Sequence, residues 1–162
     1  MLLTPSLRKA ALLAHILSSI GWIGAVAAFL VLTLTGLRST DALLVRAAYL
    51  AMEPVTWSVI VPLAISALLT GLVLSWTTKW GLFRHYWIIF KLLINCLCLF
   101  LLLLHTRIIH LVARSAAMGP LSPSDLIGPR TQLVEVSIAA LGALLFATIL
   151  SIYKPRGLTP YN

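Results

Sequence analysis

The chain has 162 residues, 60% of them hydrophobic and only 10% charged. A soluble domain carries about 25% charged residues, so this composition excludes a water-covered globular surface. The net charge of +8 sits mostly at the ends of apolar blocks, with no aromatic–basic patch or Gly-rich phosphate loop beside it. It points to anionic lipid headgroups and away from nucleic acid.

The apolar residues fall into four blocks, each long enough for the roughly 20 residues that a bilayer crossing needs. Together with short connections they use the whole chain, read as one transmembrane domain, 1–162. The predicted fold class is all-α: an antiparallel four-helix transmembrane bundle with a short interfacial helical segment before the second helix.

The first span is predicted over about residues 7–34, opened by Thr4, Pro5 and Ser6. Arg8 and Lys9 ahead of an apolar run mimic a signal peptide, but the run to Leu34 exceeds an h-region of about 7–15 residues. It is read as a retained helix. Ser39, Thr40 and Asp41 form a capping cluster. It opens the segment Ala42–Met52, read as an interfacial helix or an extension of the second span. That span is predicted over about residues 54–76, with a kink at Pro62. Thr77 to Gly81 reads as a tight connection, and the third span follows over about residues 84–114. Gly119, Pro120, Pro123, Gly128 and Pro129 mark a loop from Met118 to Pro129. The fourth span is predicted over about residues 130–153, and the tail from Lys154 cannot continue it.

Four spans place both termini on one side. Arg8, Lys9, Lys79, Arg84, Lys154 and Arg156 fall there, against Arg38, Arg46, Arg107, Arg114 and Arg130 on the other. The bias favours cytoplasmic termini in a cell inner membrane.

Ionisable groups inside a bilayer each ask for a reason. His15 lies six residues past Lys9, and Lys91 seven past Arg84. At about 1.5 Å per residue both sit roughly 9–10 Å inside the terminus-side boundary. His15, Ser18, Ser19 and Trp22 share one face of the first helix, where Gly21 and Gly24 allow close helix approach. Lys91, Asn95, Cys98, Leu102 and His105 form a seam on the third. The two seams are expected to face each other. Ser58, Pro62, Ser66 and Thr70 on the second span, and Thr148 and Ser151 on the fourth, are expected inside as well. A loop-side polar cluster of Glu53, Glu135, Arg107 and His110, with His105 and Arg130 near it, is the second expected level. Interhelical hydrogen bonds and snorkelling ends are the favoured account of Arg107, His110, His85 and Arg114 and of Glu53 and Glu135, and an equal one only for His15 and Lys91. Cys96 and Cys98, two residues apart on a helix, point to different faces and are read as unpaired.

Neutral imidazole ligates iron, and helix bundles hold cofactors between facing helices. His15 is the candidate metal ligand, and His15, Lys91, Trp22, Asn95 and His105 are the candidate cofactor-binding set for a b-type haem. Lys91 or His85 could supply a second ligand, and His105 or His110 a second haem. No CxxCH motif exists, so covalent haem attachment is excluded. Met1, Met52 and Met118 are scattered rather than clustered as a Cu(I) site requires.

Lys9, His15, Trp22 and Gly24 resemble a basic residue, His and Trp-x-Gly pattern in the first helix of two bacterial groups. These are the copper-resistance D-type membrane proteins and the haem-binding membrane protoporphyrinogen oxidases. Trp87, Lys91 and Leu92, with His105 further on, resemble a Trp-x-x-x-Lys-Leu and His pattern of a later helix. Over nearly the whole chain, including Gly81–Trp87 and Tyr153–Tyr161, the sequence is similar to an uncharacterised family of bacterial integral membrane proteins, a domain of unknown function. The likeness to the oxidases implies b-type haem on His15. Three functional readings follow: a small haem or redox protein, a non-enzymatic accessory or assembly subunit, and a small-molecule or proton transporter acting as an oligomer. The lipid bilayer is the expected partner, with a second copy or a membrane protein beside it.

Overall fold

In a bilayer every backbone N–H and C=O must find a partner within the protein, and a helix does this within its own segment. The computed structural model describes residues 4–77, 85–122 and 124–153, and these are helical almost throughout, with no strand among them. The connection from 78 to 84, Pro123 and the tail from 154 lie outside the described residues, as do Lys79, Arg84, Lys154 and Arg156. Four helical stretches are long and apolar enough to cross a membrane. The chain is a multi-pass membrane protein built as a four-helix bundle.

The elements are α1 (Pro5–Arg38), α2 (Ala42–Val55), a π turn (Thr56–Ile60), α3 (Val61–Thr77), α4 (Tyr86–Met118) and α5 (Ile127–Tyr153). Thr4 caps α1 by accepting from Leu7 N at 3.4 Å, with Pro5 in the first turn where its missing N–H costs nothing. Asp41 caps α2 by accepting from Leu43 N at 2.9 Å. Gly128 and Pro129 fall inside the first turn of α5 rather than in the preceding loop.

The segment Ala42–Met52 is not a separate interfacial piece. It runs on through the π turn into α3 as one span, Ala42–Thr77. Val45, Ala48, Tyr49 and Met52 recur at helical spacing and are buried against the other helices, which makes the segment part of the bundle. The stress of Pro62 shows one turn earlier than the residue itself. Pro62 offers no N–H to the preceding turn, and the backbone opens there, so that Val61 N–H reaches back to Thr56 O.

The helix faces follow packing, not polarity. On the second span the buried line is Thr56, Ile60, Ala64 and Ala67, while Ser58, Pro62 and Ser66 are exposed, contrary to expectation. Helical hydroxyls satisfy themselves on their own carbonyls, as Thr56 does on Met52 O at 2.8 Å and Ser75 on Gly71 O at 2.8 Å. They therefore exert no pull toward the interior. Gly21 does let a neighbour approach, since a Cβ there would stand 3.3 Å from Leu63; Gly24 faces open space.

α1 packs on α2, α3 and α5, and α4 packs on the same three elements, but α1 and α4 are not among the closely packed pairs. They stand across the bundle from each other. Packing is also uneven along the axis. On α4, Ile109, Val112, Ala113 and Ala116 are buried at the loop end, against Ile88 alone in the first two-thirds.

What tightens the loop end is Arg130, buried at 3% exposure. Its Nε donates to the Tyr49 hydroxyl at 2.7 Å and its Nη2 to Gly36 O at 2.8 Å. Its Nη1 donates to Ser122 O at 3.0 Å and Asp125 O at 3.2 Å. Gly36 is required there, because a Cβ would stand 2.7 Å from Tyr49 Cε1, inside van der Waals contact. The same clasp steadies the strained turn into α5, where Leu126 has φ 50°. Beside it the backbone N–H of Ser122 donates to Asp125 at 2.7 Å and holds that carboxyl below its ordinary range. This turn is thus fully bonded above the usual carboxylate range and loosens as acidification passes the lowered value.

Replacing Arg130 by Met should cost on the order of 3 kcal/mol, because it orphans a buried hydroxyl and several carbonyls. Arg130→Lys should recover less than half, since an ammonium cannot reproduce the planar fork. Thermal unfolding in detergent measures both, and an unchanged midpoint for Arg130→Met would refute the clasp.

Candidate functional site

At the opposite end of the bundle His15 on α1 reaches α3. Its Nδ1 lies 3.1 Å from Ala67 O and 3.1 Å from Thr70 Oγ1. A carbonyl only accepts, and the Thr70 hydroxyl is already committed to Ser66 O at 2.6 Å. Nδ1 must therefore carry the proton and donate. This leaves the lone pair on Nε2, and Lys91 Nζ on α4 faces it at 3.5 Å. The expected meeting of the two seams is thus a direct contact between His15 and Lys91, bridging helices that do not otherwise close on each other.

Gly71 makes the contact feasible. The imidazole lies against its backbone, and a Cβ there would stand 3.1 Å from His15 Cε1. It is the lone glycine in the second span, a sequence signal that goes unused when polar stripes are read alone.

Around this contact lies a cavity of about 370 Å³, within the small-ligand range of roughly 300–1,000 Å³. Its polar lining includes Arg8, His15, Ser75, Lys91, Asn95 and Ser151. None of the chain's four acids lines it: Asp41 caps α2, Asp125 is in the loop, and Glu53 and Glu135 belong to the loop-side half. Among the described residues the cavity's lining is cationic, with no carboxylate in it.

A second cavity, about 300 Å³, follows it along the bundle. Trp22 and Phe29 from α1, Cys98 and His105 from α4 and Ala140 from α5 contribute to its walls, which are nearly all apolar. His105 Nδ1 donates to Leu101 O at 2.7 Å, and its Nε2 stands 3.3 Å from Gln132 Nε2. Gln132, not an acid, is its neighbour. The α4 seam thus lines both cavities in turn, with Lys91 and Asn95 on the first and Cys98, Leu102 and His105 on the second. Trp22, expected beside His15, belongs to the second.

The loop-side cluster is reduced to one pair. His110 Nδ1 lies 2.9 Å from Glu53 Oε1 on the exposed surface. Arg107 and Glu135 are exposed and have no ion-pair partner among the described residues. Arg130 donates to carbonyls and to Tyr49, and its charge acts on the nearby Asp125 carboxyl. Cys96 is exposed and Cys98 half-buried, and both are free.

Histidine NMR on ¹⁵N-labelled protein should show neutral His15 as the Nδ1–H tautomer. Gly71→Ala should disturb that signal while leaving His105 in place. Observation of the Nε2–H form in the unmodified protein would overturn the assignment of its lone pair.

Comparison with protein-family models, curated proteins and solved structures returns no match to this chain.

Proposed function

We propose that the protein binds a carboxylate-bearing ligand within the membrane, the step shared by carriers and membrane receptors. The observation that carries this reading is the first cavity, which among the described residues offers Lys91, Arg8 and Asn95 but no acid. A cation inside a bilayer costs about 2.5–3.5 kcal/mol even by the mildest measures, and it normally finds a counter-charge. Snorkelling would turn Lys91 to the headgroups; instead its Nζ points to His15. A ligand carboxylate would supply the missing charge, with Lys91 as the ionic contact and Asn95 as a hydrogen-bond donor. His15, held by Ala67 O, would keep Lys91 aimed inward.

Titration of the purified protein with butyrate should shift the Lys91 and His15 NMR signals saturably. Lys91→Met should weaken binding at least tenfold. Absence of saturation, or indifference to Lys91→Met, would refute the proposal. The cavity's cationic end fits cytoplasmic termini in a cell inner membrane, the orientation that Arg8 and Lys9 favour. An impermeant thiol reagent should then reach Ser6→Cys only from the cytoplasmic side.

Haem on His15 is a second reading, favoured by one observation. Donation of Nδ1–H to a backbone carbonyl is how a metal-ligating histidine is usually oriented. The remaining donors fit less well. Lys91 stands in front of Nε2, and His105 lines the other cavity. Haem there would have one protein ligand and would need Lys91 to withdraw. A Soret band in protein produced with ample haem, lost in His15→Ala, would support this reading; a spectrum without one would end it.

A further inference from the structure

The two cavities lie in the same gap of the bundle, one after the other, with no lining residue in common. Both lie between α1 and α4, the helices that do not close on each other, and both take walls from the second span and from α5. They succeed one another along α4. Asn95 lines the first and Cys98, one turn on, lines the second. Their chemistry divides as an amphiphile does. One end has Lys91, Arg8 and His15; the other has Trp22, Val26, Phe29 and Leu133, with His105 and Ser137 its polar lining. Beyond it the core is closed by Tyr49, Met52 and Val112, each 0% exposed.

We infer that the ligand is a single-chain anionic amphiphile, of the fatty-acid type. Its carboxylate rests on Lys91 and its alkyl chain lies in the second cavity. The inference builds on the carboxylate-binding reading and adds the tail. Charge complementarity commits the occupant, because a neutral lipid chain would leave Lys91 unmatched and a small acid would leave the second cavity unused. The distance also suits a chain. The fourteen residues from Lys91 to His105 rise about 21 Å. The site is blind at the loop end, so the ligand would enter head-last or sideways between helices from the terminus-side leaflet. Two sources share this chemistry: free fatty acid, and a lysolipid whose phosphate replaces the carboxylate.

The test is photo-crosslinking in nanodiscs with dodecanoate that has a diazirine at its chain end. Adducts should map to second-cavity residues such as Cys98, Leu102 and Ala140. They should fall at least fivefold in Lys91→Met and with the matching fatty alcohol. Ala140→Leu and Ala143→Leu, which fill the second cavity, should each displace the adducts; two variants guard against one that misfolds. A diazirine lysophospholipid run in parallel separates the two sources, and preferential labelling by it alone would overturn the carboxylate head. Adducts confined to exposed positions such as Phe100, Leu104 and Ile138 would mean partition into bulk lipid and would overturn the inference. If butyrate still binds through Lys91 in that case, the carboxylate site stands without the tail. If neither probe depends on Lys91, both fall together.

Discussion

A single buried guanidinium governs how this bundle closes. Apolar side chains gain little by leaving lipid for each other, so membrane helices are held by close packing and by polar groups that must be satisfied inside. Arg130 is such a group. Its fork is filled by the end of α1 through Gly36, by α2 through Tyr49 and by the loop before α5 through Ser122 and Asp125. That convergence gathers several elements at one membrane face, and the fully buried side chains Tyr49, Met52, Val112 and Thr33 lie in the same half.

Among the described residues the opposite end is more open. There α1 and α4 remain apart, and the space between them is crossed by the His15–Lys91 contact. The two ends therefore hold their cations differently. Arg130 is surrounded by protein acceptors that are already in place, which makes it a structural cation. Lys91 has an imidazole for company and a cavity in front, the arrangement on which the proposed carboxylate contact rests. The same net positive charge is thus spent in two ways, and only burial and partners distinguish them.

Much of this was legible in the residues. Long apolar blocks, caps at Thr4 and Asp41, and the equal depth of His15 and Lys91 follow from spacing and the helical rise alone. Other expectations fail for identifiable reasons. Ser58 and Ser66 are exposed because serine and threonine in a helix can bond their own carbonyls, so polarity there says nothing about direction. Pro54 and the polar marks around it suggest a boundary after Met52, yet the helix continues, with the π turn taking up the disruption before Pro62. Gly24 reads like a packing glycine but has no neighbour, whereas Gly71 admits the His15 ring. Glu135 and Arg107 share a level with Glu53 but not a position around the bundle.

The sequence by itself determined the number of spans, their approximate limits and the depth of each ionisable group. Those properties depend on distance along the chain, which a helix converts directly into height in the membrane. Rotation and neighbourhood were decided only by the tertiary structure. Which face of each helix turns inward depends on how side chains interlock across helices, and the π turn at Thr56–Ile60 changes that rotation within the second span. Whether Arg130 meets acids or carbonyls, and whether Lys91 meets a carboxylate or a histidine, depends on which helices lie side by side and which lie across the bundle. The four helices follow from composition; the gap between α1 and α4, and the cationic cavity within it, follow from packing.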